Sequence, residues 1–293
     1  MRETVTLNNH VEMPLVGYGV YQIPSFDTKR CVLDALRTGY RLIDTAQYYG
    51  NEAGVGAAIH ESGIPRHEIF LTTKLKSNRN VAGLIEESLE TLQTEYIDLL
   101  LIHWVMGNDL ATYRVMEEYY KHGKVRAIGL SNFYSRDYEH IINHCEIRPA
   151  VNQLETHVFR QNRDVRALYK KDGTYLEAWA PFGEGKANMF TNPTLASIAS
   201  KQSRTVAQVI LRFSSKAMLS SFRNQRTQSE WLKTSMCSIS LYLKRICGQS
   251  KQWIEMKAYL AGINLQHARK RRGNRWRNLR GGRCSRSRLG SWF

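Results

Sequence analysis

The chain has 293 residues, a formal net charge of +16 and an isoelectric point near 9.7. Such a charge would ordinarily favour a nucleic acid or an anionic membrane surface as partner. The charge is unevenly distributed, because residues 214–293 hold 18 Lys and Arg against 2 Asp and Glu, whereas residues 1–213 hold 24 of each. The first 213 residues are therefore neutral, and the overall charge does not indicate what they bind.

Apolar runs and cysteines argue against two further classes of protein. No apolar run approaches the roughly 18 residues that a membrane-spanning helix requires. The N-terminal text MRETVTLNNH is polar, unlike a secretory leader. The five cysteines form no CxxC pair and are expected to be reduced thiols. We therefore expect a cytoplasmic protein with no membrane partner.

The first 213 residues alternate between apolar runs and amphipathic segments. A small hairpin is predicted over residues 4–13, with Asn8 and Asn9 in its turn. Seven short apolar runs follow, which are typical of buried strands: PLVGYGV (14–20), YRLIDTA (40–46), IFLTTKL (69–75), YIDLLLIHW (96–104), VRAIGLSN (125–132), AVNQLE (150–155) and YLEAWAP (175–181). Helical periodicity lies between these runs, for example over residues 31–36, 85–92, 115–119 and 195–199.

This alternation predicts an α/β fold with a parallel sheet and right-handed crossovers. Seven units fit either a doubly wound sheet or a (β/α)8 TIM-type barrel. No G-x-G-x-x-G follows the early strands, as a dinucleotide-binding doubly wound sheet would require, so the barrel is favoured. We predict a barrel over residues 1–213 that lacks a proper eighth strand, because that strand should begin just past a helix ending near Phe213.

A set of polar and aromatic residues lies at or near the C-terminal ends of the predicted strands. In a parallel barrel these ends converge on one mouth, where the catalytic side chains of such enzymes gather. Any one of these residues is better explained as a cap or a rim charge. Their joint pattern indicates function: Asp44, Lys74, His103, Ser131, Asn132, Gln153 and Trp179.

Four residues at this mouth suggest a reaction. A free phenol has a pKa of about 10, and an ammonium near Tyr49 is expected to lower that pKa. Lys74 can supply the ammonium and Asp44 can hold it in place. His103 can donate a hydrogen bond to the oxygen that Tyr49 protonates. The set predicts a carbonyl-reducing site that lacks only a hydride donor.

Six segments carry a resemblance to a known family: GYRLIDTAQYYGNE (39–52), IFLTTKL (69–75), IDLLLIHW (97–104), GKVRAIGLSNF (123–133), VNQLE (151–155) and LEAWAPFGEGK (176–186). In this order they resemble the aldo-keto reductases over about residues 5–213. The similarity is greatest to small bacterial-type reductases that act on diketogluconate, methylglyoxal and similar carbonyls.

The resemblance implies roles for individual residues. It makes Asp44, Tyr49, Lys74 and His103 the catalytic tetrad, with Tyr49 as general acid. It implies NADPH as cofactor, a small carbonyl substrate, no metal and a monomer. The residues implied to bind the cofactor are Gly19, Val20, Ser131, Asn132, Gln153, Trp179, Pro181, Phe182 and Gly183.

The chain departs from the family pattern around the expected substrate pocket. Lys76 stands where the family usually has Trp, so the pocket wall is expected to be more positive. Val105 replaces the usual Pro, and the connection that begins there is shorter than usual. The choice of substrate is therefore left open.

The largest departure lies within VILRFSSKAML (209–219), after which the composition changes. All six prolines precede residue 214, and four of the six tryptophans follow it. A shifted reading frame can be tested on the protein sequence by joining the third base of each codon to the first two bases of the next codon. When the synonymous third bases are chosen freely, LSSFRNQRTQSEW (219–231) can then be read as Ile-Ile-Leu-Pro-Lys-Ser-Thr-His-Thr-Glu-Arg-Met, which resembles the eighth strand and phosphate-binding run of the family. We hypothesise a frameshift near residue 213, which makes residues 214–293 an aberrant basic tail.

Two alternatives remain beside the reductase hypothesis. The chain could be a catalytically inactive member of the fold, although the intact tetrad argues against a long history of inactivity. HARKRRGNRWRNLRGGRCSRSR (267–288) could instead be an evolved arginine-rich arm that binds nucleic acid, with Trp276 available for stacking. No period persists through this segment, so disorder is expected in either case.

Overall fold

A computed structural model describes residues 3–185 and 187–219, without the side chains of residues 216–219. The predicted disorder and the hypothesised frameshift concern text that lies almost wholly outside these residues.

The described residues form nine strands and eight α-helices. The strands are β1 (Thr4–Thr6), β2 (Glu12–Pro14), β3 (Tyr18–Gly19), β4 (Leu42–Asp44), β5 (Phe70–Leu75), β6 (Leu99–Ile102), β7 (Ile128–Ser131), β8 (Val151–Glu155) and β9 (Tyr175–Trp179). The helices are α1 (Ser25–Arg37), α2 (Glu52–Glu61), α3 (Val81–Thr91), α4 (Asp109–Lys121), α5 (Ser135–Ile142), α6 (Arg163–Asp172), α7 (Pro193–Lys201) and α8 (Val206–Leu219). Short 3-10 helices cover Gln47–Tyr49, Arg66–Glu68, Gly183–Gly185 and Met189–Thr191.

The seven strands β3 to β9 pair in parallel and in chain order, so the predicted parallel α/β sheet is confirmed. Each strand lies inside its predicted apolar run. The first run gives the shortest strand, because Pro14 already ends β2. Gly17 lies between the two strands and packs so closely on Leu42 that a Cβ there would collide with its side chain. The sheet curls like a barrel wall, and within the described residues no strand pairs with the outer edges of β3 and β9.

The hairpin β1–β2 closes the N-terminal end of the barrel. Val5, Leu7 and Met13 are buried against apolar side chains that point into the barrel from the strands. The amide of Asn8 donates to the carbonyl of Pro149 at 3.0 Å, and the amide of Asn9 donates to that of Arg126 at 2.8 Å. The predicted turn residues therefore fasten the hairpin to the ends of the strands. We refer to this closed end as the barrel floor.

The helices cover the outer face of the sheet. An extensive apolar cluster joins α3, α4, α5 and α6 to the strands, and its buried side chains include Tyr113, Tyr138 and Tyr169. Among the described helices, none has both the length and the apolar character to cross a membrane.

The last described helix runs further than the sequence predicts. We expected a helix that ends near Phe213, but α8 continues to Leu219. The intervening text, SSKAML, contains neither Gly nor Pro, so nothing in it stops helix propagation. The change in composition therefore falls within a helix and not at its end.

Candidate active site

The structure brings together the four residues predicted as a tetrad. Asp44 ends β4, Lys74 lies in β5, His103 directly follows β6, and Tyr49 ends the 3-10 helix after β4. The ammonium of Lys74 donates to Asp44 Oδ1 at 2.6 Å and to the hydroxyl of Tyr49 at 3.4 Å. The rings of Tyr49 and His103 meet edge to face, with centroids 5.6 Å apart. All four therefore lie at the carboxyl end of the sheet, which we call the mouth.

The turn that carries Tyr49 is fixed by two of its neighbours. Gly50 ends the 3-10 helix with φ of +65°, a conformation that glycine adopts without strain. The side chain of Gln47 donates to the carbonyl of Leu84 at 2.6 Å and accepts from the backbone N–H of Lys76 at 3.0 Å. The turn is thereby attached both to α3 and to the end of β5.

Asn51 attaches the same turn to the first strand of the sheet. Its Nδ2 donates to the carbonyls of Val20 and Ile23 at 3.0 and 3.1 Å, and its Oδ1 accepts from Thr45 Oγ1 at 2.9 Å. Asn51 is buried, so each of these bonds forms away from water. Sequence reasoning did not identify Gln47 or Asn51. The only signal was the density of polar residues in DTAQYYGNE, where a strand gives way to a helix.

Lys74 is a buried ammonium surrounded by acceptors. Its side chain is 1% exposed and also donates to the carbonyl of Thr45 at 2.9 Å. Burial alone lowers the pKa of Lys74, but Asp44, Tyr49 and Glu177 outweigh it and raise that pKa above its ordinary value. Lys74 is consequently a fixed positive charge beside the Tyr49 hydroxyl.

The pKa of Tyr49 shifts in the direction opposite to our expectation. We expected the ammonium to lower it, but burial, with a further contribution from the carboxylate of Asp44, outweighs Lys74 and raises the pKa of Tyr49. The expectation omitted desolvation, which penalises a phenolate wherever water is excluded. Tyr49 therefore remains a neutral phenol at neutral pH and keeps its proton.

His103 is held neutral at the same mouth. Its side chain is 5% exposed, and burial followed by the charge of Lys74 lowers its pKa to about 3. Its ring stacks on that of Trp104 at 3.5 Å between centroids. Within the described residues, Nδ1 is buried and has no hydrogen-bond partner. A neutral imidazole can offer either a donor or an acceptor to a bound group.

Ser131 and Asn132 lie together at the end of β7. Asn132 Nδ2 donates to Ser131 Oγ at 3.1 Å and to the carbonyl of His103 at 3.0 Å, and Asn132 Oδ1 accepts from the indole of Trp179 at 3.0 Å. Three predicted cofactor residues are therefore in one cluster. In this arrangement, Asn132 joins the ends of β6, β7 and β9.

Gln153 reaches across the barrel from β8. Its Nε2 donates to Asp44 Oδ2 at 2.8 Å and to Glu177 Oε2 at 3.0 Å. Burial, and after it the carboxylate of Asp44, raise the pKa of Glu177 to about 7. Sequence reasoning did not identify Glu177. The available signal was an acidic residue inside an apolar strand, in YLEAW.

The remaining predicted cofactor residues lie on two sides of the mouth. Gly19 pairs with Asp44, and a Cβ at Gly19 would meet no atom within 4 Å, so its face is open. Val20 is fully buried and donates its N–H to the carbonyl of Asp44 at 3.0 Å. Pro181, Phe182 and Gly183 follow β9, where Phe182 is buried against Phe190 with ring centroids 5.6 Å apart.

Of the two sequence departures near the pocket, Lys76 is paired with a carboxylate and Val105 is exposed. The ammonium of Lys76 pairs with Glu87 at 3.0 Å, which offsets the positive wall that we expected there. Tyr48, which is 68% exposed, packs edge to face against Trp104 at 5.4 Å between centroids. The mouth is therefore bordered by aromatic rings next to His103. No group of three or more potential metal ligands occurs among residues 3–185 and 187–219.

Comparison with known proteins places this architecture in a family. The profile of the Aldo/keto reductase family matches residues 16–228. Glyoxal reductase of Bacillus subtilis (strain 168) is 43% identical over 220 residues, which cover 73% of this chain and 79% of that protein.

Solved structures give the same result. The aldo/keto reductase of Brucella melitensis superposes with a TM-score of 0.71 and 40% identity, covering 74% of this chain and 86% of that one. The aldo-keto reductase of Bombyx mori in complex with NADP superposes with a TM-score of 0.65 and 28% identity, covering 78% and 90%. This chain therefore belongs to the aldo/keto reductase family and is an oxidoreductase of carbonyl compounds.

Proposed function

We propose that the chain derives from an NADPH-dependent reductase that converts aldehydes or ketones to alcohols, with Tyr49 as proton donor. The observation that carries the proposal is the single ammonium of Lys74, which contacts Asp44 at 2.6 Å and Tyr49 at 3.4 Å. The name of the Bacillus subtilis relative, a glyoxal reductase, supports a small carbonyl substrate.

The proposed chemistry assigns one task to each side chain. NADPH, when bound, would supply the hydride for the carbonyl carbon. Tyr49 transfers its hydroxyl proton to the carbonyl oxygen, which completes the alcohol. Lys74 stabilises the resulting tyrosinate, Asp44 keeps the ammonium in place, and solvent returns the proton. Neutral His103 donates a hydrogen bond to the same oxygen as it gains negative charge.

The residues present fit a nicotinamide dinucleotide. The open face of Gly19 beside Asp44 leaves room for a flat group near Lys74. Ser131, Asn132 and Gln153 offer hydroxyl and amide groups of the kind that hydrogen-bond a carboxamide. We assign these residues, together with Val20, Trp179 and the loop at Pro181, Phe182 and Gly183, to cofactor binding.

The C-terminal text limits what the printed chain can do. We propose that a frameshift near residue 213 removed the eighth strand and the Lys, Ser and Arg expected to hold the 2′-phosphate of NADPH. Resequencing the gene and measuring the mass of the natural protein test the frameshift directly. A natural mass that matches the printed sequence would refute the frameshift.

Enzyme assays test the activity itself. The loss of NADPH absorbance is followed with methylglyoxal and with an aromatic aldehyde, for the printed chain and for a frame-restored chain. We expect the restored chain to be active and the printed chain to be severely impaired. An inactive restored chain would favour the catalytically inactive alternative. NADH in a parallel assay tests the choice of cofactor.

We further propose that the protein is monomeric and cytoplasmic and that it has no specific nucleic-acid partner. The basic tail would bind polyanions in a salt-dependent and unselective way. Sizing in solution and a competition between unrelated DNA sequences test these two statements.

A further inference from the structure

One carboxylate at the mouth has no part in the proposed mechanism. Glu177 lies at the centre of β9, on the strand face that also carries Tyr175 and Trp179. Its Oε2 and Asp44 Oδ2 both accept from Gln153 Nε2, at 3.0 and 2.8 Å. A single amide nitrogen therefore bridges two carboxylates that come from strands β4 and β9, which are not neighbours in the sheet.

These two carboxylates determine which way the Gln153 amide is turned. Asp44 is paired with the Lys74 ammonium and acts as an acceptor. An amide oxygen in the place of Nε2 would face two carboxyl groups and be repelled by Asp44, whereas an NH2 group has one proton for each of them. With both protons engaged, the amide oxygen of Gln153 is the only atom of that group left to accept a hydrogen bond.

We propose that Glu177 is a positioning residue, which acts with Asp44 to hold the Gln153 amide so that its oxygen accepts from the N–H of the cofactor carboxamide. The inference rests on the proposed function, because a nicotinamide supplies that carboxamide. The recognised chemistry is a primary amide, which has an N–H donor that an ester, acid or ketone lacks.

The charges around Glu177 make its role dependent on pH. The charged groups that face it are Asp44 from β4 and Lys74 from β5, and β8 contributes the uncharged Gln153. Burial and Asp44 raise the pKa of Glu177 to about 7, while Gln153 and Lys74 act in the other direction. The carboxylate therefore gains its full acceptor strength only as the pH rises above neutrality.

The first test needs no dinucleotide. In the full chain, the side-chain amide signals of Gln153 are assigned by nuclear magnetic resonance with a Gln153→Leu variant and followed with pH. We expect a shift centred at about pH 7 that disappears in Glu177→Leu and Glu177→Gln. Glu117→Gln is the control, because Glu117 is a buried carboxylate that accepts instead from the backbone N–H groups of Glu146 and Ile147. A Gln153 signal that ignores Glu177→Leu overturns the proposal.

The second test measures the consequence for binding. In the frame-restored chain, affinities are compared for NADPH and for its 3-acetylpyridine analogue, in which a methyl group replaces the carboxamide NH2. Glu177→Leu should weaken NADPH binding about tenfold, the worth of one hydrogen bond, and leave the analogue unchanged. Glu177→Gln keeps an acceptor oxygen and should restore most of the affinity. Equal losses for both dinucleotides would mean a general loosening and overturn the positioning role.

The two tests separate this inference from the proposed function. If the frame-restored chain fails to bind NADPH, that contradicts the proposed function, and the amide signals still decide how Gln153 is held. If NADPH binds but the amide signals ignore Glu177→Leu, the proposed function stands and the positioning role fails.

Discussion

The two ends of the barrel are made of opposite kinds of side chain. At the floor, Val5, Leu7 and Met13 of the hairpin pack on apolar residues that fill the barrel interior. At the mouth, the interior positions carry ionic and amide groups that contact one another. Buried polar groups of this kind are costly to desolvate. The apolar packing of the floor therefore supplies stability, which allows the mouth to hold polar groups that are suited to chemistry.

The largest expected effect is a loss of catalytic rate, without a loss of stability, when a residue of the mouth is changed. In the frame-restored chain, Tyr49→Phe should lower the rate of carbonyl reduction by about 10³-fold or more, because it removes the proposed acid. Its melting temperature should stay close to that of the parent. Tyr48→Phe serves as the control, since Tyr48 is exposed and keeps its ring. Similar rate losses in both variants would remove Tyr49 from the proposed mechanism.

The second expected effect concerns the reading frame. The loss of the eighth strand should affect the mouth and the floor together, because a barrel strand runs from one to the other. The printed chain should bind NADPH about 100-fold more weakly than the frame-restored chain, since several charge-assisted hydrogen bonds to phosphate would be missing. A fluorescence titration measures both affinities. Micromolar or tighter binding by the printed chain contradicts the prediction.

A charge cluster outside the mouth should affect stability without affecting the mouth. Asp98 is buried and accepts from Arg66 at 2.8 Å and from Arg126 at 2.7 Å. Asp98→Asn should lower the free energy of unfolding by about 2 kcal/mol, less than for a fully buried pair, because both arginines still reach water. Chemical denaturation measures the loss. A large change in the pH dependence of carbonyl reduction by Asp98→Asn would show that this charge cluster and the mouth are not independent.

The smallest expected effect is the absence of a titration. Because burial and Lys74 lower the pKa of His103 to about 3, His103 stays neutral from about pH 5 to pH 8. The pH profile of kcat/KM is measured for the active chain and for His103→Gln. Any step between about pH 5 and pH 8 should be present in both profiles. A step that does disappear would mean that His103 is charged in the free enzyme.

The fold could be predicted well from local sequence, because buried parallel strands are marked by continuous apolar runs. All seven sheet strands lie within their predicted runs, and the residues of the predicted tetrad meet because strand ends share one edge. The predicted shift in the pKa of Tyr49 was wrong in direction, because the sequence shows which charges come near the phenol but not how much water is removed from it. The length of α8 was underestimated for a different reason: a change in composition is not a helix stop.

The supporting contacts of the site could not be predicted. Gln153 is 109 residues from Asp44 along the chain and 24 residues from Glu177, and no local pattern records such pairs. Gln47 and Asn51 were overlooked because polar residues in a turn are usually solvated, whereas here they are buried. Barrel curvature brings such residues together.

The hydrogen bond between Gln153 and Asp44 also has a mechanical consequence. It joins β8 to β4, with three strands between them in the sheet. A sheet whose outer edges are unpaired within the described residues can flatten, and a tie across its concave side resists that motion. Curvature and the proposed recognition of the cofactor are therefore coupled through one amide, and a loss of its hydrogen bonds should widen the barrel as well as weaken cofactor binding.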